Sequence, residues 1–498
     1  ITTPLKLSAL IPEAILLTLV LLLLVAALFR LKIGGRLTGY LVMTALFVSG
    51  ISISFTKPGI IGADLFLNEP GAQFFKYLFL SAAFLAVALS AVSSNDNSLK
   101  QLNSYTSILL ALVGMMFLSM ATSLLSLYVT LELSTLPLTA LLILSSQTDG
   151  RSLLSLRFLI VTVFSSLLIL FGFSFLYGLS GALNLIVMKL QIAIVHITNR
   201  QIGVIILLSI VAVLTGTMFR LGLIPFHNWA RKFQESMPLP IVAFLATGFL
   251  AALLMFLAKF FIAGLFAFYG PEMNPNDWGR LLGFVAFVNL IFGSIQLFRQ
   301  RDLVAVMFYT VITQASFVMM GFNTMRPTGL QAAAFCLSSI IISVIGVYAI
   351  IYLIRQSLDS TSLDSVKGLS KSSKLLAILL VIFLMSLAGL PMLSGFVGKF
   401  SVLEAALERA GADRTYHWMY LVVGAAMFNI IVSFVKYSRV SLSLFQTVEH
   451  PLPSISIPAP LYLILGAALL VTITFGIYPD PLLSFASRIP EAFGFVVE

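Results

Sequence analysis

Charge is what this sequence has least of. Asp, Glu, Lys and Arg together make up 10% of its 498 residues, against 59% hydrophobic; a soluble globular chain carries far more charge. Cysteine is nearly absent: Cys336 stands alone in an apolar run, which excludes a disulfide or a thiolate metal cluster within the chain. The four histidines are too scattered for an evident haem or metal site. There is no Gly-rich nucleotide loop in a strand–helix context, so the chain carries no legible redox or nucleotide site. The net charge of +10 is dispersed over short loops rather than gathered into a nucleic-acid-binding face.

What the chain has instead is apolar runs of about 20 residues, the length an α-helix needs to cross a bilayer. These predict an all-α polytopic membrane protein with about 14 transmembrane helices; a β-barrel would show short alternating segments. The runs lie near 8–29, 37–55, 76–94, 104–122, 124–146, 153–178, 202–224, 240–268, 281–298, 303–322, 329–354, 373–391, 415–438 and 459–478, with a half-helix near 394–408 after Pro391. The first run is long enough to span, so no separate cleavable signal is expected. The longest connections, 56–75, 179–201 and 439–458, are too short for a soluble domain. An even number of spans puts both termini on one side. The opposite side receives Arg30, Lys32, Arg36, Lys100, Arg151, Arg231, Lys232, Arg299, Arg301, Arg355, Lys367, Lys371, Lys374, Lys436 and Arg439. The terminal side holds Glu272, Asp277, Asp413, Asp480, Glu491 and Glu498, so the basic loops are expected inside and the termini outside.

The few charges within apolar runs are the functional candidates, because an intramembrane charge is costly and faces protein or water. Arg220 sits near the end of one run, and Pro225 breaks the helix five residues later. A helix broken at membrane depth is tolerated where protein covers it or it lines a cavity. Gly389-Leu390-Pro391 interrupts a second run ahead of Lys399, five spans on, so the two breaks would run in opposite directions, as in opposed transporter repeats. Glu132 has apolar neighbours on both sides and is either a titrating group or half of a static ion pair. Arg157, close to the 147–152 loop, either serves a polar path or snorkels. Lys259, within Leu257-Ala258-Lys259-Phe260, is a desolvated amine or a snorkelling one. His227 relays protons or caps a loop, and Gln314 holds water or packs helices. Glu404 and Glu408 share a helix face.

Several motifs then become recognisable: the Glu132 segment with Pro137; Phe173-Ser174-Phe175-Leu176-Tyr177-Gly178-Leu179-Ser180-Gly181; and Phe219-Arg220-Leu221 with Pro225-Phe226-His227-Asn228-Trp229. They continue with Pro238-Leu239-Pro240-Ile241-Val242-Ala243-Phe244-Leu245-Ala246-Thr247, Arg301-Asp302-Leu303, and Ser386-Leu387-Ala388-Gly389-Leu390-Pro391 with Gly395-Phe396 and Gly398-Lys399-Phe400. On these the chain resembles the antiporter-like membrane subunits of respiratory complex I (NADH:ubiquinone oxidoreductase). Lysine rather than a carboxylate at 399 makes it most similar to subunit 2.

The resemblance implies two inverted five-helix repeats, each with a broken helix. It implies an N-terminal three-helix segment over 1–103, a first repeat over 104–268, a second over 279–438, and a C-terminal transmembrane helix and tail over 439–498. It implies proton translocation driven by quinone reduction elsewhere in the complex. The chain itself would do no redox chemistry and hold no cofactor, while FMN, iron–sulfur clusters and ubiquinone sit in other subunits. Its partners would be other membrane-arm subunits and lipid, and its place the mitochondrial inner membrane, with a bacterial plasma membrane or thylakoid as alternatives. Glu132 matches the family's paired glutamate, Arg220 and Arg157 stand where lysine is usual, and Lys399 and His227 match the family's lysine and histidine. Leu250 stands where a central lysine is usual, and Lys259, nine residues further on, cannot simply replace it. The pathway would then run through Glu132, Arg157, Arg220, His227, Lys259 and Lys399. The rivals are a cation/proton antiporter of related fold and a structural arm subunit with a degenerate channel.

Overall fold

A computed structural model describes residues 7–29, 34–62, 64–92, 98–146, 152–198, 202–265, 276–447 and 453–493. Arg30, Lys32, Arg151, Glu272 and Glu498 lie outside them, as do 93–94 and 266–268 of the expected runs. The helices are α1 Ile11–Leu28, α2 Gly35–Ser54, α3 Pro70–Val92, α4 Ser98–Met120, α5 Leu124–Ser146, α6 Ser152–Ser180, α7 Leu185–Thr198, α8 Ile202–Leu221, α9 His227–Ser236 and α10 Leu239–Phe244. They continue as α11 Leu250–Ala258, α12 Asn276–Arg299, α13 Leu303–Asn323, α14 Pro327–Leu358, α15 Leu369–Ser372, α16 Lys374–Ala388, α17 Ser394–Ala412, α18 Met419–Leu444, α19 Ala459–Ile477 and α20 Asp480–Ala486.

Among the described residues, 13 helical stretches are long and apolar enough to cross a membrane. The expected twelfth run, 373–391, differs: α16 covers only 15 residues, and the chain resumes as α17 after a turn at Gly389–Leu393. The run expected over 240–268 is one stretch, Leu239–Ala263, widened into π-helical turns at Leu245–Phe249 and Lys259–Ala263. The connection expected over 179–201 holds a helix, α7. It does not cross. Gly172 packs on Ser209 and Val213 while Ser165 bonds the carbonyl of Gly216, so α6 and α8 are antiparallel neighbours and both ends of α7 lie on one side. The 56–75 connection carries a hairpin, β1 Gly59–Ile61 paired with β2 Phe66–Asn68 in the register Ile60 to Leu67, and α3 begins at Pro70.

The chain divides into two compact units. The first comprises 1–229, 248–278 and 488–498; the second comprises 230–247 and 279–487. In the first, α3 and α4 form the core and α1, α2 and α5 pack around them, while α6 pairs with α8. Close approach of α4 to α5 depends on Gly114, where a Cβ would lie 2.5 Å from the backbone nitrogen of Ser134. In the second, α13 and α14 are the buried helices and α16, α17, α18 and α19 surround them. α13 is buried on all sides, its apolar residues interrupted by the buried polar side chains of Thr310, Thr313, Gln314 and Ser316. Its start is fixed by Asp302, whose carboxylate accepts from the N–H groups of Val304 at 2.9 Å and Ala305 at 3.2 Å.

Candidate functional site: buried charges in each unit

Among its described residues the first unit holds three buried cations, each beside a carboxylate. Arg220, in the last turn of α8, reaches α5 and α6. Its Nη2 lies 2.5 Å from Oε1 of Glu132, its Nε donates to Ser165 at 2.9 Å, its Nη1 to Thr135 at 3.4 Å, and Nη2 also donates to Ser166. Every nitrogen of the guanidinium is therefore engaged, which suits a planar fork that stays charged. Glu132 and Arg220, far apart in sequence, are brought together by the α5–α6–α8 packing. Arg157 does not join them: it lies on the exposed face of α6. His227 opens α9, directly after the chain break, and is half-buried.

Lys259 is buried at the start of the second π-helical turn. Its Nζ donates to the carbonyl of Ala121 at 2.9 Å and stands 4.0 Å from Oε1 of Glu69. One residue back on each of those segments, Asn68 and Met120 hold Lys76, with Nζ 3.2 Å from Asn68 Oδ1 and 3.2 Å from Met120 Sδ. Lys76 also pairs with Glu13 at 2.7 Å, and both side chains are inaccessible to solvent. Neither residue stands out in the sequence. Lys76 reads as a boundary residue when the run is taken to begin at 76, and lies inside the helix once α3 starts at Pro70. The available signal was Glu13, an acid in the first turn of an otherwise apolar helix.

The second unit is different. α16 ends at Ala388, with Gly389 in the left-handed region at φ 95°, so the last carbonyls of the helix point free of intrahelical partners. Lys399, on the second turn of α17, fills that position: its Nζ donates to Leu387 O at 2.6 Å and to Ala388 O at 3.4 Å. The ammonium also lies over the ring of Phe317, 4.7 Å from its centroid, and Gln314 donates to the same Leu387 carbonyl at 2.9 Å. The turn is tight because of Gly395, where a Cβ would fall 1.8 Å from Ser386 O. Ser343–Ser386 at 2.9 Å and Ser339–Ser394 at 2.8 Å tie both halves of the break to α14. Glu404 and Glu408 are both exposed on α17, as their spacing predicts, and take no part.

Lys436, counted with the basic side at the end of the 415–438 run, is instead buried inside α18. It caps the carbonyl end of α12, donating to Phe298 O at 3.2 Å and to Gln300 O. Among the described residues, neither Lys399 nor Lys436 has an ion pair with a carboxylate. Leu250 is buried at the end of the first π-helical turn. No group of three or more His, Cys, Asp or Glu that could hold a metal occurs among the described residues.

A helical membrane protein with buried ion pairs in one unit and an amine seated at a broken helix in the other is the class of protein that fold and site define. Residues 121–429 match the family described as NADH:quinone oxidoreductase/Mrp antiporter, transmembrane, and the chain belongs to it. It is 28% identical to NADH-quinone oxidoreductase subunit N 2 of Chloroherpeton thalassium over 500 residues, covering 98% of this chain and 96% of the relative. Its fold is similar to a chain of respiratory complex I from Thermus thermophilus, with TM-score 0.76, 22% identity, and coverage of 96% of this chain and 100% of that one. It is also similar to a chain of the Mrp complex of Dietzia sp., with TM-score 0.75, 17% identity, and 98% of both chains covered.

Proposed function

We propose that this chain is a proton-translocating membrane-arm subunit of an NADH-quinone oxidoreductase, with Lys399 as the group that takes up and releases the proton. The observation that carries the reading is the seat of Lys399: a buried amine held by the Leu387 and Ala388 carbonyls and a ring face, with no carboxylate paired to it among the described residues. Deprotonated, it still donates to the same carbonyls, so its charge changes without breaking the site. Arg220, paired with Glu132, acts as a fixed charge. FMN, iron–sulfur clusters and quinone belong to other subunits, and other membrane-arm subunits are the partners. Because the relatives are bacterial, a bacterial plasma membrane fits better than the mitochondrial inner membrane expected from the sequence. The family description and the Mrp likeness support a second reading, a cation/proton antiporter subunit. The two separate on purification: the first comes with flavin and iron–sulfur partners.

The test is proton pumping per NADH oxidised in membranes carrying Lys399→Ala, with assembly of the complex verified. The expected result is loss of pumping or of coupled turnover in an assembled complex, by about 10²-fold or more, as for a removed proton-transfer group. Wild-type pumping and turnover would rule out Lys399 as the proton site and leave a structural arm subunit as the reading.

A further inference from the structure

Three buried hydroxyl and amide groups of the second unit lie between the basic end of that unit and Lys399, and the function proposed above does not use them. The basic end is where α12 finishes at Arg299 and α18 at Leu444, with Lys436 of α18 on the α12 carbonyls. One residue after Lys436, Tyr437 is fully buried, and its hydroxyl meets Thr310 Oγ1 of α13 at 2.6 Å. Thr310 also donates to Val306 O at 2.8 Å, which uses its single hydrogen, so Tyr437 is the donor between the two. One turn further along α13, on the same face, stands Gln314, whose amide nitrogen donates to Leu387 O, the carbonyl that holds Lys399.

Two orphaned polar atoms flank this row. Gln314 Oε1 is buried without a hydrogen-bond partner, and so is Ser441 Oγ, one turn from Tyr437 towards the basic end. A buried polar oxygen without a partner is a place for water. The steps from Ser441 to Tyr437 and from Thr310 to Gln314 are each one helical turn, about 6 Å, which one water bridges. The Tyr437–Thr310 link is a direct contact, and Gln314 and Lys399 meet at the Leu387 carbonyl to which both donate.

We infer that Ser441, Tyr437, Thr310 and Gln314 form a proton-entry route to Lys399 contained in the second unit. The inference rests on Lys399 being the proton site. A proton reaches Tyr437 Oη from a water at Ser441 as the phenol passes its own proton to Thr310 Oγ1. Thr310 turns its hydrogen from Val306 O to a water at Gln314 Oε1, and that water protonates the neutral Lys399 amine. One proton crosses and each hydroxyl regains one. Tyr437 and Thr310 are the relay groups, Gln314 positions the last water, and Lys436 fixes the register of α18 against α12.

The experiment uses the whole complex in inverted membrane vesicles and compares Tyr437→Phe, Thr310→Val, Thr310→Ser and Lys399→Ala for proton pumping and NADH turnover, with assembly checked. Tyr437→Phe removes one oxygen and Thr310→Val is nearly isosteric; each is expected to lower coupled pumping about tenfold. Thr310→Ser, which keeps the hydroxyl, is expected to pump like wild type, a rescue that a packing role alone would not give. Wild-type pumping by both Tyr437→Phe and Thr310→Val, with Lys399→Ala inactive, would overturn the route and leave the proposed function standing. Equal loss in Thr310→Ser and Thr310→Val would overturn it too. Wild-type pumping by Lys399→Ala would instead remove the function on which the route depends.

Discussion

The two units bury their cations in opposite ways. In the first, Lys76, Lys259 and Arg220 each face a carboxylate: Glu13 at 2.7 Å, Glu69 at 4.0 Å and Glu132 at 2.5 Å. In the second, Lys399 and Lys436 donate to backbone carbonyls at the ends of α16 and α12 and pair with no carboxylate among the described residues. A buried pair cannot change the charge of one member without stranding the other, which makes it rigid electrostatically. An amine on a helix C-terminus loses only a charge–dipole attraction when it becomes neutral. The difference assigns the first unit fixed charge and the second an adaptable site.

The largest structural effect should come from breaking a pair in the first unit. Lys76→Met leaves Glu13 buried alone and is expected to cost about 3–5 kcal/mol. The readout is the yield and thermal stability of the assembled subunit. The double variant Glu13→Gln with Lys76→Met should recover much of that loss. If the double variant were as unstable as the single one, packing rather than charge pairing would explain the site. Arg220→Lys keeps the charge but gives up the fork to Ser165, Thr135 and Ser166, and a loss of about 1–3 kcal/mol is expected from the hydrogen bonds given up. Equal stability would mean that the guanidinium geometry is immaterial.

The matching change in the second unit should be mild. Lys399→Met strands no carboxylate and removes only the cap of α16, worth about 0.3–2 kcal/mol. Stability close to wild type beside lost pumping would sharpen the contrast between units; a collapse as deep as that of Lys76→Met would erase it. The smallest effect belongs to the loop before α18. There the Thr415 backbone N–H, 2.9 Å from Asp413, holds that carboxyl below the ordinary carboxylate range. A group whose pKa is lower folded than unfolded stabilises above its unfolded pKa and loses that contribution as pH falls through the folded one. Asp413→Ala should therefore narrow the stability difference between neutral and acidic pH slightly; an unchanged pH dependence would show that the turn does not depend on the charge.

Much of the fold was legible because lipid imposes a length rule on each span. The limits of α13, α14 and α19 fall within a few residues of their apolar runs. Where sequence reading fell short, hydropathy was uninformative. α7 is apolar enough to pass for membrane yet lies between two antiparallel neighbours on one side. Lys436 reads as the basic end of the 415–438 run, but its helix continues two turns further and the side chain is buried. Glu13 lies on α1 and Lys76 on α3, with α2 between them in the chain, and their pairing has no trace in local spacing. Candidates flagged as lone charges divided by contact alone: Glu132 and Arg220 met, Arg157 stayed on the surface, and Lys399 found carbonyls.

The sequence by itself determined a helical membrane protein, its breaks at Pro225 and Gly389, and some of the charges that had to be covered: Arg220, Lys259 and Lys399, but not Glu13, Lys76 or Lys436. Those follow from local rules: helix length, proline and glycine geometry, and the cost of charge in lipid. Only the tertiary structure decided which carboxylate each cation meets, because partners such as Glu132 and Arg220 come from helices 88 residues apart in the chain. It alone seated Lys399 on Leu387 O, since an unpaired carbonyl at a helix end belongs to the backbone, which every residue carries alike.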